Sequence, residues 1–203
     1  MFVHNRCERK RDFMPRHRTL SDEQLLDMVL ALIHAEGPDA ATFGAVAKAS
    51  GLSGSTLVQR FGTKAAMLRA SLLRAWDRLD AETVRLAQSV PKTPAGAIAL
   101  LSGLSKDYGG DAVSYADGLL LLREDLRDPA LRARGSAWGT TLADALDRCL
   151  HVEGKAGPLG RLMLSQWQGC LLWWGFEPEG AIEDYVRRQL QRFLDAVGGA
   201  LTP

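Results

Sequence analysis

The chain contains no run of about 18 consecutive apolar residues, so no segment is long enough to cross a bilayer as a helix. Its first residues are charged but lack an apolar stretch, which argues against a secretory leader. Cysteine is scarce. Cys7, Cys149 and Cys170 are odd in number and far apart, which argues against a disulfide framework and suits a reducing, cytoplasmic setting. Neither charge sign dominates: 25 Lys and Arg stand against 24 Asp and Glu, a net charge of +1. Global basicity therefore does not announce a nucleic-acid partner. Alternation with period two is never sustained, which leaves little room for sheet. A Gly-rich phosphate loop, a zinc signature and a Ser-centred elbow are all missing. His4 and Cys7 have a ligand-like spacing, but two candidates do not make a tetrahedral site. The expectation is no metal and no cofactor.

Helical periodicity is what the 203 residues do contain, with 46% hydrophobic content to build a core. A capping box at Ser21 and Gln24 opens a first helix with Leu25, Val29, Leu32 and Ile33 on one stripe. Gly37-Pro38 ends it. Pro91 and Pro94 break the chain after a long fourth helix that starts at Thr63. Further helices are predicted over about 93–106, 111–123, 128–150 and 159–176, with a loop from Gly154 to Gly157. Pro178 opens a last one that runs to Gly198-Gly199. With the two short helices described next, that makes nine and an all-α fold. Charge is local: residues 1–18 carry six Lys or Arg against two acids, a basic flexible arm. Met14 offers an alternative start, which would make the residues before it an extension.

The most specific stretch is TFGAVAKASGLSGSTLVQRFGTKAAMLRASL, Thr42 to Leu72. Phe43, Val46 and Ala47 share one helix face. Gly51 suits a helix end and Ser53 an N-cap. The next helix offers Leu57 and Phe61 to the apolar side and small or polar residues elsewhere. Two short helices joined at a glycine, the second polar outside, make a helix-turn-helix whose second helix can enter a major groove.

From Ser21 to about Leu72 the sequence resembles the N-terminal domain of the TetR family of bacterial regulators. The likeness rests on LLDMVLALI, EG, ATFGAVAKASGLS and TLVQRFGTKAAML, with Phe61 closing the recognition helix and Thr63-Lys64 opening the fourth helix. It covers roughly a quarter of the chain. It implies a three-helix DNA-binding domain at 19–72 and a helical effector-binding and dimerisation domain at 73–203. The outward residues of the recognition helix are Ser53, Gly54, Ser55, Thr56, Gln59 and Arg60. Gln can bond adenine and Arg guanine bidentately, while Ser and Thr are versatile. By resemblance Gly54, Ser55, Thr56 and Arg60 lie near bases, and Thr42 and Lys64 hold phosphates at two helix starts. The family usually has Tyr where this chain has Val58, which cannot donate a hydrogen bond.

The helix over 159–176 is apolar nearly all round, so it must be buried on more than one side. A second subunit is the economical cover. With the last helix it would form the four-helix dimer interface that the resemblance implies, through Trp174, Ile182, Val186, Leu190 and Phe193. Two-fold symmetry would then match a palindromic operator. Tyr108, Tyr115, Trp138, Met163 and Trp167 are amphipathic or soft residues placed to line an apolar effector pocket, with ordinary core packing as the competing reading. His151 reads as a partner for a helix C-terminal dipole. The expected function is a homodimeric, ligand-responsive repressor. Alternatives are a regulator without effector, an activator, or an all-α enzyme using Cys170 with Asp117 or His151 as base. An apolar helix raises a thiol pKa, which disfavours the enzyme.

Overall fold

Helices begin in this chain where a capping side chain precedes an apolar stripe. The computed structural model describes residues 20–108, 110–150 and 159–200. Among them it holds nine α-helices, two short 3-10 turns and no strand. In order these are α1 (Asp22–Glu36), α2 (Phe43–Ser50), α3 (Gly54–Phe61), α4 (Lys64–Ser89) and α5 (Pro94–Ser105). There follow α6 (Ala112–Arg127), α7 (Pro129–Leu150), α8 (Leu159–Phe176) and α9 (Ile182–Ala200). The all-α expectation is met. The basic arm with His4 and Cys7, and His151 with the Gly154 to Gly157 loop, lie outside the described residues.

The capping box forms: Ser21 Oγ accepts from the Gln24 N–H at 3.2 Å, and Gln24 Oε1 accepts from the Ser21 N–H at 3.0 Å. Two boundaries differ from the sequence reading. α6 runs one turn past Arg123, because the Asp128 N–H still bonds the Glu124 carbonyl and the Asp128 carboxylate then caps α7 at the Ala130 N–H, 2.8 Å away. α9 starts at Ile182 rather than Pro178, because Gly180 adopts φ 68°, which a right-handed helix cannot contain.

Apolar side chains gather in two cores. The smaller joins Leu25, Val29 and Ile33 of α1 to Val46, Leu57 and Met67. The larger joins α5, α7, α8 and α9 through Leu101, Leu104, Leu142, Leu146, Leu171 and Leu190. The helix α4 contributes to both, Met67 to the first and Ala87 to the second. Charged pairs fix its flanks. Arg74 and Arg78 both reach Asp27 of α1, with Arg78 at 2.6 Å, and the Arg74 hydrogen bond holds the Asp27 carboxyl below its usual range. On the other side Arg134 of α7 bridges Asp77, at 3.0 Å, and Asp80. Trp76 donates from Nε1 to the Asp125 carboxylate of α6 at 3.1 Å, while burial pushes that carboxyl up.

Helix α8 packs tightly on α7, and a glycine permits it. A Cβ at Gly160 would stand 2.1 Å from the Ala143 carbonyl oxygen, while the Gly160 N–H donates to Asp147 at 2.6 Å. Gly160→Ala should therefore overpack the crossing and destabilise the protein by about 1–3 kcal/mol. Gly118→Ala in α6, where a Cβ meets nothing within 4 Å, should instead stabilise slightly, by about 0.5 kcal/mol. Chemical-denaturant midpoints of the two variants test this; equal midpoints would refute the close crossing.

Candidate nucleic-acid interface

Leu57 is fully buried and α3 is eight residues long, so one side of this helix is committed to the smaller core and the other faces out. Gly51 joins α2 to α3 in the left-handed conformation, φ 73°, and sets the angle between them. Three hydroxyls converge at the start of α3. Ser53 Oγ accepts the Thr56 N–H at 3.1 Å and lies 2.8 Å from both Ser55 Oγ and Thr56 Oγ1. Free N–H groups and a positive helix end surround this trio. Gly54, Ser55, Val58 and Gln59 are exposed, and Thr56 is half-buried. Val58 is an apolar spot on an otherwise polar face, 47% exposed.

Two helix starts flank that surface. Thr42 Oγ1 caps α2 by accepting the Ala45 N–H at 3.1 Å, and Thr63 Oγ1 caps α4 at the Ala66 N–H, also 3.1 Å. Lys64 follows, its ammonium donating to the Asp39 carbonyl at 3.0 Å. Its exposed charge therefore stands beside α2 and the start of α4.

Arg60 does something the sequence reading did not foresee. Its guanidinium turns back onto the first helix, donating to the Leu20 carbonyl at 2.7 Å and to Asp22 at 3.2 Å. Nothing local signals this, because the partners are about forty positions earlier in the chain. Arg60 so placed ties α3 to the start of α1, and Gln59 is the long polar side chain left facing outward.

The expected effector-lining residues do come together, but against one another. Tyr108 meets Trp167 edge-on at 5.8 Å, and Trp138 lies 6.3 Å from Trp167. Tyr115 is 6.4 Å from Tyr108, and Met163 is fully buried. The indole N–H groups are satisfied internally, Trp138 by Thr83 at 3.0 Å and Trp167 by Ser105 at 2.9 Å. These rings are core in this state. A groove of about 430 Å³ lies elsewhere, between α4 and α7, around Thr83, Ala87, Thr141 and Ala145.

The expected subunit-contact residues lie mostly within the protomer. Trp174, Ile182, Val186 and Leu190 are buried inside the protomer's own core, at most 3% exposed, and Phe193 packs against its edge. The physical reason is phase: α8 has two apolar faces, and the one bearing Trp174 turns inward, where its ring meets Tyr115 of α6 and its N–H donates to the Gly180 carbonyl. The opposite face bears Leu162, Leu172, Trp173 and Phe176, which are 44–72% exposed. The spacing of Leu162, Gly169 and Phe176 at seven-residue intervals is the sequence signal that could have found it. Cys170 is buried, with its thiol pushed up by burial. Among the described residues there is no group of His, Cys, Asp or Glu able to hold a metal.

Residues 25–71 match the family model described as bacterial regulatory proteins, tetR family. No curated protein matches the chain. Several solved structures share its fold. A transcriptional regulator from Saccharomonospora viridis, in complex with choline, superposes with a TM-score of 0.67 at 17% identity, over 86% of this chain and 95% of that one. The TetR family regulator PfmR of Thermus thermophilus gives 0.58 at 21% identity, over 83% and 95%. The multidrug binding protein EbrR, complexed with proflavin, gives 0.58 at 20% identity, over 85% and 99%.

The placement of Gln59 and Arg60 separates two outcomes. Gln59→Ala should change which base is preferred at one position, by about 1–3 kcal/mol of discrimination. Arg60→Ala should leave base preference unchanged and lower stability by about 1 kcal/mol, since its bonds are internal and half-exposed. Selection from randomised duplexes together with thermal melts reads both. A changed consensus for Arg60→Ala with an unchanged melting temperature would reverse the assignment.

Proposed function

We propose that this chain, whose residues 25–71 match the TetR family model, is a regulator of that family and acts as a homodimeric repressor that grips a palindromic operator with two copies of α3 and lets go when a small molecule binds. The observation that carries the reading is the outer face of α3, where a hydroxyl trio, exposed Gln59 and two capped helix starts form one polar surface above a fully buried Leu57. In the proposed division of labour, residues 1–18 are a basic arm, 19–72 bind DNA, and 73–203 bind the effector and the second subunit. Thr42 and Lys64 take phosphates, which set register on any sequence. Ser53, Gly54, Ser55, Thr56 and Gln59 face the bases.

The dimer is supported by the outer face of α8. Trp173 and Phe176 are 59% and 72% exposed, stand 5.7 Å apart and continue into Leu172 and Leu162. An exposed apolar stripe of this kind marks an association surface. Solved relatives that carry choline or proflavin support a small-molecule effector in the helical part. No helix among the described residues is long and apolar enough to cross a membrane, and a cytoplasmic location is proposed. The protein is proposed to be non-enzymatic: the buried Cys170 thiol, held up in pKa, is a poor nucleophile, which argues against the enzyme alternative.

Trp173→Glu should yield a folded monomer whose operator binding falls by about 100-fold, as each half-site is then held alone. Trp174→Glu, which buries a charge in the protomer core, should instead unfold the helical part. Sedimentation with circular dichroism distinguishes them, and a Trp173→Glu protein that stays dimeric would move the interface off α8. Lys64→Ala should weaken specific and random duplexes alike and reduce the slope of log K against log salt by about one unit. An unchanged slope would remove Lys64 from the phosphate contacts.

A further inference from the structure

The groove between α4 and α7 is polarised along its length. Successive contacts show the two helices descending side by side in the same sense: Arg134 meets Asp77, Trp138 meets Thr83, and Cys149 Sγ lies 3.8 Å from the Pro91 carbonyl. Late positions of α7 therefore face the end of α4. Lys92 and Arg148 stand at one end of the groove, and Thr83 and Thr141 at the other. Small apolar side chains, Val84, Ala87 and Ala145, lie between them. No acidic side chain lines it. From Thr141 to Arg148 the axis of α7 advances about 10 Å. A volume of about 430 Å³ is in the range that small-molecule sites occupy.

We propose that this groove binds a small amphipathic monoanion, an aliphatic or aryl carboxylate about 10 Å long. The exposed Arg148 guanidinium offers a fork of donors that fits a carboxylate bidentately. Lys92 adds a second cation; its ammonium is held by a neutral partner, the Ala87 carbonyl, and so keeps its charge for an anion. The apolar body of the ligand lies on Val84, Ala87 and Ala145, and its far end lies beside Thr83 and Thr141, whose hydroxyls already donate to the Leu79 and Ala137 carbonyls. A cation of the same shape finds two like charges at the Lys92 and Arg148 end.

The groove also reports its own occupancy. Thr83 Oγ1 accepts the Trp138 N–H at 3.0 Å, and Trp138 lies 5.6 Å from Trp76 and 6.3 Å from Trp167. A ligand that touches Thr83 therefore alters the polarity beside an indole cluster. Only in calling the bound acid a signal does this inference rest on the effector-responsive reading above; the binding itself does not.

The test uses the full chain and three probes of equal length: octanoate, octanol and octyltrimethylammonium. Calorimetry and tryptophan emission follow binding. Octanoate should bind at least about tenfold more tightly than octanol, since hydrogen bonds to charged groups are worth that much, and the ammonium should not bind. Arg148→Gln combined with Lys92→Gln should remove the tenfold preference while octanol binding persists. Arg148→Gln alone should remove part of it. Equal binding of all three probes, no octanoate binding, or a preference that survives the double variant would each overturn the proposal. Selective octanoate binding that leaves operator affinity unchanged would keep the site and remove its signalling role. Effector control by another molecule, with octanoate unbound, would do the reverse.

Discussion

The burial of α4 in two separate cores constrains the rest of the molecule. Met67 near its start belongs to the core under α3, and Ala87 near its end belongs to the core shared with α7 and α8. Between them the helix is 26 residues without a glycine or proline to bend it. Its flanks are held by charge: Arg74 and Arg78 to α1, Arg134 from α7 to Asp77 and Asp80. A part-exposed ion pair contributes little singly, but these share partners, so moving α4 against one neighbour disturbs several at once. A rigid rod so clamped ties the position of Lys64, at the polar surface, to that of Val84 and Ala87, at the groove.

The α6 helix is the counterweight to that order. Apart from Tyr115 its large apolar side chains are mostly exposed, including Val113, Leu122 and Leu126. It is held by a few specific contacts. Tyr115 packs where Gly175 leaves room, Leu121 touches the smaller core, and Asp125 accepts the Trp76 N–H. Burial raises the Asp125 carboxyl above its ordinary value, so ionising it opposes folding. That cost is absent at acid pH and grows as the pH rises through the ordinary carboxylate range toward the raised folded value. An element with few buried contacts and one uphill charge lies at the low end of local stability.

The legible parts of this sequence were the short-range ones. A capping box, a glycine between two short helices and a proline after a helix act within a few residues, so they can be read along the chain and they fold as read. What could not be read depends on partners far away. Arg60 finds the Leu20 carbonyl, and α8 chooses which of its two apolar faces to bury only when α6, α7 and α9 are present. Both faces of α8 satisfy the same periodicity, so nothing along the chain prefers Trp174 over Trp173 for a subunit contact. The groove between α4 and α7 lies between residues more than fifty positions apart and has no motif at all.

Pairing within the protomer limits the cations left for the proposed DNA-facing surface of a chain of net charge +1. Most arginines along α4 and α7 are paired within the protomer, and Arg60 is turned onto α1. Beside α3 that leaves exposed Lys64 together with the N-terminal ends of α2, α3 and α4. Helix ends offer N–H groups at fixed positions and carry only partial charge, so they favour correct register over general attraction to phosphate. So few free cations would release few counterions in the proposed complex, and binding built this way would depend weakly on salt unless the basic residues of 1–18 join it. In the proposed dimer, affinity would then come from shape, from the exposed residues of α3, and from holding two half-sites at once, which would make the apolar stripe on α8 as much a part of the proposed DNA recognition as α3 itself.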